Sequence, residues 1–213
     1  MLGTDASDTK SKTPSTERQK EIIAIATDLF LQSGFFGTSM THIAKACAIR
    51  KASLYHHFES KDELFIACVI TGYEDAIALL TATQENPSLS HEQRISDAID
   101  ILYDVTVNST AGRMSPVIAE VSRSMPALSE RFYNEYIAVQ RETLKRIVLQ
   151  GVEDGVFKTP DFEVLYHVVF GPIVTLSLSL DMFASMDNLD ERFPVERLKD
   201  GHKEFLIASL IVR

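Results

Sequence analysis

Glycine and proline are scarce in this chain, which contains nine glycines and seven prolines among its 213 residues. A strand-and-turn architecture needs these residues at frequent turns, so their scarcity and the long stretches between them favour helices. The sequence also has no convincing strand alternation and no internal repeat. Its length allows one large domain, or a small domain joined to a larger one. The sequence therefore predicts an all-α protein.

Cysteine is nearly absent, since Cys47 and Cys68 are the two in the chain and both lie in apolar helical patterns. They form neither a CxxC pair nor a Cys/His spacing, which argues against a disulfide framework and against a zinc site. The sequence also lacks a Gly-rich phosphate loop and a nucleophile elbow. We therefore expect a protein that is not an enzyme, with no metal and no cofactor, in a reducing, cytoplasmic setting.

Long apolar runs and an export signal are lacking as well. The longest notable uncharged stretch, Val164 to Leu180, has 17 residues, which is short of a bilayer span. The first residues carry neither the basic nor the apolar block of a signal peptide. We expect this stretch to form a buried helix and the chain to have no membrane partner.

The charge is acidic overall and unevenly distributed. The chain carries 30 Asp and Glu against 21 Lys and Arg, a net charge of −9. Residues 1–63 are neutral, so the rest of the chain carries the whole excess. Residues 34–61 hold four basic residues and one acidic residue, a local charge of +3. A nucleic-acid partner is therefore compatible with this segment, although the overall charge argues against one.

Helix signals divide the N-terminal third of the chain. Ser, Thr, Asp and Lys dominate residues 1–15, which we expect to be a disordered arm. A Thr-x-x-Gln capping box at Thr16 begins the first helix, which ends at Gly34. Hydroxyl caps at Ser39 and its neighbour begin a short second helix. After a short third helix, a capping box at Ser60 begins a long fourth one.

The pattern from residue 38 to residue 61 is the sequence form of a helix-turn-helix, with two short helices separated by a tight break. A helix fits the major groove, where Lys and Arg donate to guanine, while hydroxyls bind phosphate oxygens. Further helices are predicted over roughly 92–109, 116–124, 128–153, 162–184 and 195–211. We therefore predict a three-helix helix-turn-helix domain over residues 16–60, joined by a long helix to a larger helical domain over residues 61–213.

Two stretches within this third carry a specific pattern, Gly34-Phe35-Phe36-Gly37-Thr38-Ser39-Met40-Thr41-His42-Ile43-Ala44 and Ser53-Leu54-Tyr55-His56-His57-Phe58-Glu59-Ser60-Lys61-Asp62-Glu63-Leu64. They resemble the DNA-binding domain of the TetR/AcrR family of repressors, and the resemblance extends from Arg18 to Cys68. The other two-thirds of the chain is similar to the family only in length and helical layout.

The resemblance implies double-stranded DNA as a partner and assigns roles by position. These are Thr38 and Ser39 as phosphate-contacting caps, Met40 facing the groove, Arg50, Lys51, Ala52 and Ser53 reading bases, and Tyr55, His56 and Lys61 holding the DNA backbone. Two positions depart from the family, because Ala48 replaces the usual turn glycine and Arg50 replaces a frequent capping residue. We expect Ala48 to strain a left-handed turn by roughly 1 kcal/mol.

For the larger domain the resemblance implies ligand sensing and a homodimer that binds a palindromic operator. The candidate effector pocket lies between the segments of Tyr103, Met114, Phe132, Tyr136, His167 and Phe170. The candidate dimer interface is formed by Leu165, Val169, Ile173, Leu176, Leu206 and Leu210. The same apolar faces are also compatible with packing inside one monomer. No basic cluster lies near the pocket segments, which favours a neutral, apolar or cationic effector.

The sequence thus predicts a ligand-responsive DNA-binding transcriptional regulator, a repressor released from its operator by a small, largely apolar effector. Two alternatives stay open. Ala48 and Arg50 leave room for a helical small-molecule-binding protein that has lost sequence-specific DNA binding. His167 with Asp181 would serve an all-α enzyme.

Overall fold

The computed structural model describes residues 17–212, which form helices and no strands. One isolated antiparallel bridge joins Phe157 to Ile211 near the C-terminus. The predicted all-α class is confirmed. The predicted arm over residues 1–15 and the proposed cap Thr16 lie outside the described residues.

The N-terminal helices begin and end close to the predicted positions. They are α1 (Glu17–Gly37), α2 (Met40–Ala46), α3 (Lys51–His57) and α4 (Lys61–Glu85). The regular part of α1 stops at Gly34, where φ is +67°, a value that glycine adopts without strain. Ser39 caps α2 by accepting the His42 N–H, and Ser60 caps α4 by accepting the Glu63 N–H. The sequence signals for these two starts are confirmed.

The remaining helices contain π-helical segments that periodicity did not indicate. The order is α5 (His91–Tyr103), π1 (Asp104–Asn108), α6 (Thr110–Arg113), α7 (Ser115–Ser122), α8 (Pro126–Phe132), π2 (Tyr133–Ile137), α9 (Ala138–Glu153), α10 (Phe162–Met182), α11 (Leu189–Arg192) and α12 (Val195–Leu210). Gly112 of α6 packs so closely on the Thr106 carbonyl of π1 that a side chain at residue 112 would overlap it. π-Helical turns are rare and occur frequently at functional sites, so both segments mark places of interest.

The buried apolar side chains form two clusters. The first joins α1–α3 to the first half of α4 and continues into α6–α8 and π2, and includes Phe30, Leu54, Phe65, Tyr73, Met114 and Tyr136. The second joins the end of α4 to α5, α9, α10 and α12, and includes Leu80, Ile99, Tyr103, Ile147, Val169 and Leu206. Because the first cluster crosses residue 60, motion of α4 is mechanically linked to the helix-turn-helix. The division into domains at that residue remains a prediction.

Two helices, α4 and α10, are long and apolar enough by length and composition to cross a membrane. About half of the most apolar window of α4 is buried inside the fold, as in the core helix of a folded domain, whereas only 22% of that of α10 is buried. The 17-residue uncharged stretch forms a helix as expected, but the expectation that this helix is buried is wrong, because only one face of it packs on the core. Residues 17–212 leave much of the apolar surface of α10 uncovered.

Candidate nucleic-acid interface

The turn between α2 and α3 has the left-handed backbone that we predicted from Ala48. Ala48 has a φ of +53°, a conformation in which its Cβ is strained. The turn is closed by the Ala48 and Ile49 N–H groups, which donate to the carbonyls of Lys45 and Ala44 at 3.1 and 3.0 Å. Arg18 of α1 donates to the Cys47 carbonyl at 2.8 Å and so holds the end of α2 in place.

The helix α3 presents a basic and aromatic face to solvent. Leu54 is fully buried and anchors the helix against the core. Its predicted base-reading and backbone-contacting residues lie on the outside: Arg50, Lys51, Ala52, Tyr55 and His56 are exposed and Ser53 is half-buried. The Lys51 ammonium lies 5.8 Å from the centre of the Tyr55 ring. Arg50 is the N-cap and makes no side-chain capping bond, as predicted from its type.

Thr38 and Met40 were assigned to the DNA surface, and the structure corrects both. The Thr38 side chain is 3% exposed, and its hydroxyl donates to the carbonyls of Leu29 and Gly34 at 3.1 and 2.8 Å. It therefore closes the kink of α1 and does not face a phosphate. Met40 is 6% exposed and belongs to the first apolar cluster. Ser39 is half-buried, and its hydroxyl caps α2.

Lys61 also has a role that differs from the predicted one. Its ammonium donates to the carbonyls of Phe35 and Thr38 at 2.9 and 3.1 Å and lies 4.0 Å from the centre of the Phe35 ring. These bonds tie the start of α4 to the loop between α1 and α2. Lys61 thus positions the helix-turn-helix, and its contact with the DNA backbone remains a prediction.

The six residues predicted for one effector pocket are divided between separate places. Met114, Phe132 and Tyr136 belong to or pack on the first apolar cluster, whereas Tyr103 is buried in the second and Phe170 packs on it. His167 is exposed on α10. The structure therefore does not bring the six together around one cavity.

Tyr103 instead takes part in a buried contact that holds α5, α10 and α12 together. Its hydroxyl lies 3.3 Å from His202 Nδ1, and His202 Nε2 lies 3.1 Å from the Val168 carbonyl. Burial lowers the pKa of His202, which favours a neutral ring that donates to Val168. The packing role of Tyr103 accounts for its place in the core.

A smaller aromatic cluster combines two predicted pocket residues with two that sequence reasoning missed. The ring of Tyr136 lies 4.0 Å from that of Tyr73 and 5.4 Å from that of Phe132. Gln140 donates to the Tyr136 hydroxyl at 2.7 Å, and the Tyr73 hydroxyl donates to the Ala111 carbonyl at 3.1 Å. A cavity of about 100 Å³ adjoins Tyr73 and Tyr136. Burial raises the pKa of Tyr73, so its hydroxyl stays protonated.

The signal for Gln140 was present in the sequence, because it stands four residues after Tyr136 on one helix. Tyr73 was hidden among the apolar residues of α4, where periodicity identifies a buried face but not its neighbours. The contact between α4 and π2 that joins these residues is tertiary.

The residues predicted for the dimer interface lie on the buried faces of α10 and α12, not on the exposed ones. Each of the six is at most 7% exposed within the single chain and belongs to the second apolar cluster: Leu165, Val169, Ile173, Leu176, Leu206 and Leu210. They form the chain's own core, so this assignment is wrong. The exposed faces carry a different set of apolar and small residues, which we call the outer seam: Val164, His167, Gly171, Val174, Leu178 and Met182 on α10, and Leu198, Gly201, Phe205 and Ala208 on α12.

The residues of the enzyme alternative do not form a site. His167 and Asp181 are both exposed on α10 and lie about 21 Å apart along the helix axis at 1.5 Å per residue. Within residues 17–212, no group of three or more His, Cys, Asp or Glu side chains is placed to hold a metal ion.

Comparison with known proteins agrees with the helix-turn-helix geometry. A family model described as bacterial regulatory proteins of the tetR family matches residues 22–68, which run from α1 into α4. The chain is 24% identical over 152 residues to IcaR, the negative transcriptional regulator of the biofilm operon icaADBC of Staphylococcus aureus, covering 65% of this chain and 82% of IcaR. Residues 22–68 therefore form a DNA-binding domain of the TetR family of transcriptional regulators.

Solved structures extend the likeness over the whole fold. A Mesorhizobium loti protein described as a TetR-family regulator superimposes with a TM-score of 0.75 at 22% identity, over 94% of this chain and all of that one. The regulator FadR of Bacillus subtilis, solved with stearoyl-CoA, gives a TM-score of 0.69 at 16% identity, over 89% of this chain and 98% of FadR. The N-terminal helix-turn-helix followed by a larger helical part is thus the TetR-family fold.

In this TetR-family domain, the strained Ala48 gives a direct test of the turn. We expect Ala48→Gly to raise the free energy of unfolding by about 0.5–1 kcal/mol, because glycine accepts the left-handed φ without a Cβ clash. Urea unfolding followed by circular dichroism measures the change. Ala78→Gly in the exposed interior of α4 is the control and should lower the free energy by about 0.5–1 kcal/mol. Equal losses in both variants would contradict the strain.

Proposed function

We propose that this TetR-family regulator is a repressor that binds a palindromic operator as a homodimer and releases it when a small effector binds. The observation that carries the proposal is the exposed face of α3, with Arg50, Lys51, Tyr55 and His56 held outward by the buried Leu54. Cations and hydroxyls on a short helix of this kind suit base edges and phosphates in the major groove. IcaR, itself a negative regulator, supports repression.

The charge distribution supports one direction of approach to DNA. Residues 64–213 carry the net charge of −9, so phosphates are repelled from the larger part of the chain and tolerated at the neutral N-terminal part. A protein with this function works where the DNA is, and we expect it in the cytoplasm.

The outer seam supports the homodimer. Its residues recur at intervals of three and four, the spacing of helices that pack side by side along a shared seam. Phe205 is 65% exposed and Met182 is 73% exposed, and no element within residues 17–212 covers either side chain. Gly171 and Gly201 leave open space on the same faces, which lets a partner's helices approach closely. Two copies would form a four-helix interface with two-fold symmetry.

The helix α4 offers the route from an effector to the DNA-binding face. It begins at Lys61, which is bonded to the loop before α2, and carries Tyr73 beside the 100 Å³ cavity. Because Gly72 packs directly on Ala111, α4 and α6 move together. A ligand that displaces Tyr73 would change the spacing of the two α3 helices in the dimer, and the operator would be released. The FadR complex with stearoyl-CoA supports ligand responsiveness in this fold.

Selection of genomic fragments by the purified full chain, repeated across a salt series, tests the proposal. We expect an enriched palindrome whose binding falls steeply with salt, by about 0.9 log units per neutralised phosphate per log unit of salt. The protein is unfolded and refolded first, so that no copurified effector holds it in the released state. Absence of enrichment at low salt would favour the helical small-molecule-binding alternative. The strained Ala48 and the missing side-chain cap at Arg50, the N-cap of α3, keep that alternative open.

A further inference from the structure

A buried histidine ties the two helices of the outer seam to each other and to α5. His202 of α12 is 8% exposed, and its Nε2 lies 3.1 Å from the carbonyl of Val168 on α10. Its Nδ1 lies 3.3 Å from the hydroxyl of Tyr103 on α5, which is 1% exposed. Because a carbonyl can only accept, Nε2 carries the proton and Nδ1 accepts from the Tyr103 hydroxyl. The neutral ring therefore has a partner for each nitrogen.

This contact lies directly behind the outer seam. On α12, His202 follows Gly201 and precedes Phe205 by three residues, and on α10 Val168 follows His167. Gly201, Phe205 and His167 all belong to the outer seam and are exposed. The bond from His202 to the Val168 carbonyl thus holds the two seam helices at a fixed spacing. A partner that packs on both helices at once needs that spacing to be constant.

A protonated ring does not fit this arrangement. A second proton on Nδ1 of His202 would take away the acceptor of the Tyr103 hydroxyl, and within residues 17–212 this hydroxyl has no other acceptor. Burial also disfavours the charged ring and lowers the pKa of His202 below its ordinary value of about 6.5, an effect that the bond to the Val168 carbonyl only partly offsets. The closed arrangement of the three helices therefore holds the neutral form.

Titratable side chains next to this contact come from all three helices. They are Asp100 on α5 and Asp104 directly after it, His167 on α10, and Lys199 and Lys203 on α12. Both lysines bond to Asp100, at 3.7 and 2.6 Å, and each also pairs with an acidic residue of α12. Within residues 17–212, no carboxylate forms an ion pair with His202. A charged ring would therefore have no counter-ion.

We propose that His202 is a positioning residue of the outer seam and that protonation of its ring loosens α12 from α10, so that the proposed dimer dissociates in mild acid. The inference rests on the proposed function, because it assumes that the outer seam joins two copies. The charged ring gains hydration when α12 moves away from α10. The stabilisation by the neutral ring is complete above about pH 6.5 and is lost as the pH falls through the lowered pKa of His202. A two-fold dimer contains two such rings, so two protons act on it.

Sedimentation velocity of the full chain without DNA, at pH 7.5, 6.5 and 5.5, tests this role. We expect a dimer at pH 7.5 whose dissociation constant rises roughly 10- to 100-fold by pH 5.5, because each of the two rings contributes up to about tenfold per pH unit below the ordinary pKa of histidine. His202→Gln keeps an N–H for the Val168 carbonyl and cannot be protonated. The dissociation constant of this variant should change by less than about threefold over the same range.

Two further histidine variants assign the response to this ring. His91→Gln is the matched control, because His91 lies on α5 outside the outer seam, and it should keep the full response to pH. His167→Gln tests the exposed histidine of the seam itself, and we expect the response to persist there as well.

Melting curves give a second readout and show whether the variants fold. Between pH 7.5 and pH 5.5 the melting temperature of the unaltered chain should fall by about 2–4 °C more than that of His202→Gln. If His202→Gln does not fold at pH 7.5, His202→Asn, which keeps a polar group beside the Tyr103 hydroxyl, is measured in its place.

Several results would overturn the inference. A dimer with the same dissociation constant at pH 7.5 and pH 5.5 would refute the role of His202 and leave the proposed dimer intact. A pH response that persists in His202→Gln, or that disappears in His167→Gln, would assign the response to another group. A chain that is monomeric at pH 7.5 would refute the proposed dimer together with this inference. The measurement contains no DNA, so a chain that shows the response but selects no operator loses only the proposed function.

Discussion

Replacing Lys51 and Tyr55 together by alanine is expected to weaken binding to the selected operator about 100-fold, because each contact with a base or phosphate contributes roughly 1–3 kcal/mol. Both side chains are exposed, and the Lys51 ammonium lies 5.8 Å from the Tyr55 ring, so they present one surface to DNA. The salt dependence should also become shallower, since fewer counterions are released. Fluorescence anisotropy with labelled operator at several salt concentrations measures both effects.

A matched pair on the other part of the chain controls for the loss of a lysine and a tyrosine. Both residues are exposed and far along the sequence from α3: Tyr133 begins π2, and Lys145 lies in the middle of α9. Their joint replacement by alanine should leave operator affinity within about twofold. If the α3 double variant binds DNA as tightly as the unaltered chain, this face of α3 is not the recognition surface.

Replacing Phe205 by glutamate is expected to convert the proposed dimer into monomers and to abolish stable binding to the proposed operator. The ring is 65% exposed within the chain and lies at the middle of the outer seam on α12. Two-fold symmetry introduces the buried carboxylate twice, and each unpaired charge costs several kcal/mol. A loss of only about 2.7 kcal/mol weakens dimerisation 100-fold. Sedimentation velocity measures the association, and anisotropy measures the binding.

Leu79→Glu provides the comparison for this change. Leu79 is 56% exposed on α4 and lies outside the outer seam, so the variant carries the same added charge on a different surface. It should sediment as the unaltered chain does. A dimeric Phe205→Glu protein would contradict the four-helix interface, and a monomeric Leu79→Glu protein would place the interface on α4.

The local chemistry of the helix-turn-helix could be predicted because its signals are short-range. The capping serines Ser39 and Ser60 stand within three residues of the N–H groups that they accept, so the sequence contains both partners of each bond. The strain at Ala48 follows from one residue type at one turn position. The exposed face of α3 follows from the single apolar anchor Leu54.

The assignments that failed depended on where a side chain points, which the residue type alone does not determine. Thr38 has the hydroxyl of a phosphate ligand, but the kink at Gly34 brings the Leu29 and Gly34 carbonyls to it and turns it inward. The Phe35 and Thr38 carbonyls beside the same kink also accept from Lys61, a contact that its charge alone did not indicate, and its predicted contact with DNA remains a prediction. Neither contact is visible in a linear pattern, because an ammonium or a hydroxyl can donate a hydrogen bond to a carbonyl oxygen as well as to a phosphate oxygen.

The sequence by itself determined the all-α class, the starts of α2 and α4, the strained turn and the resemblance to the TetR family, because each depends on residues close together in the chain. Only the tertiary structure decided which face of α10 and α12 is buried. On α10 both faces are apolar, so helical periodicity does not distinguish Val169, which is buried, from Val174, which is exposed. The structure also decided that Tyr73 meets Tyr136, since that contact joins residues from two distant helices, and local patterns carry no information about such pairings.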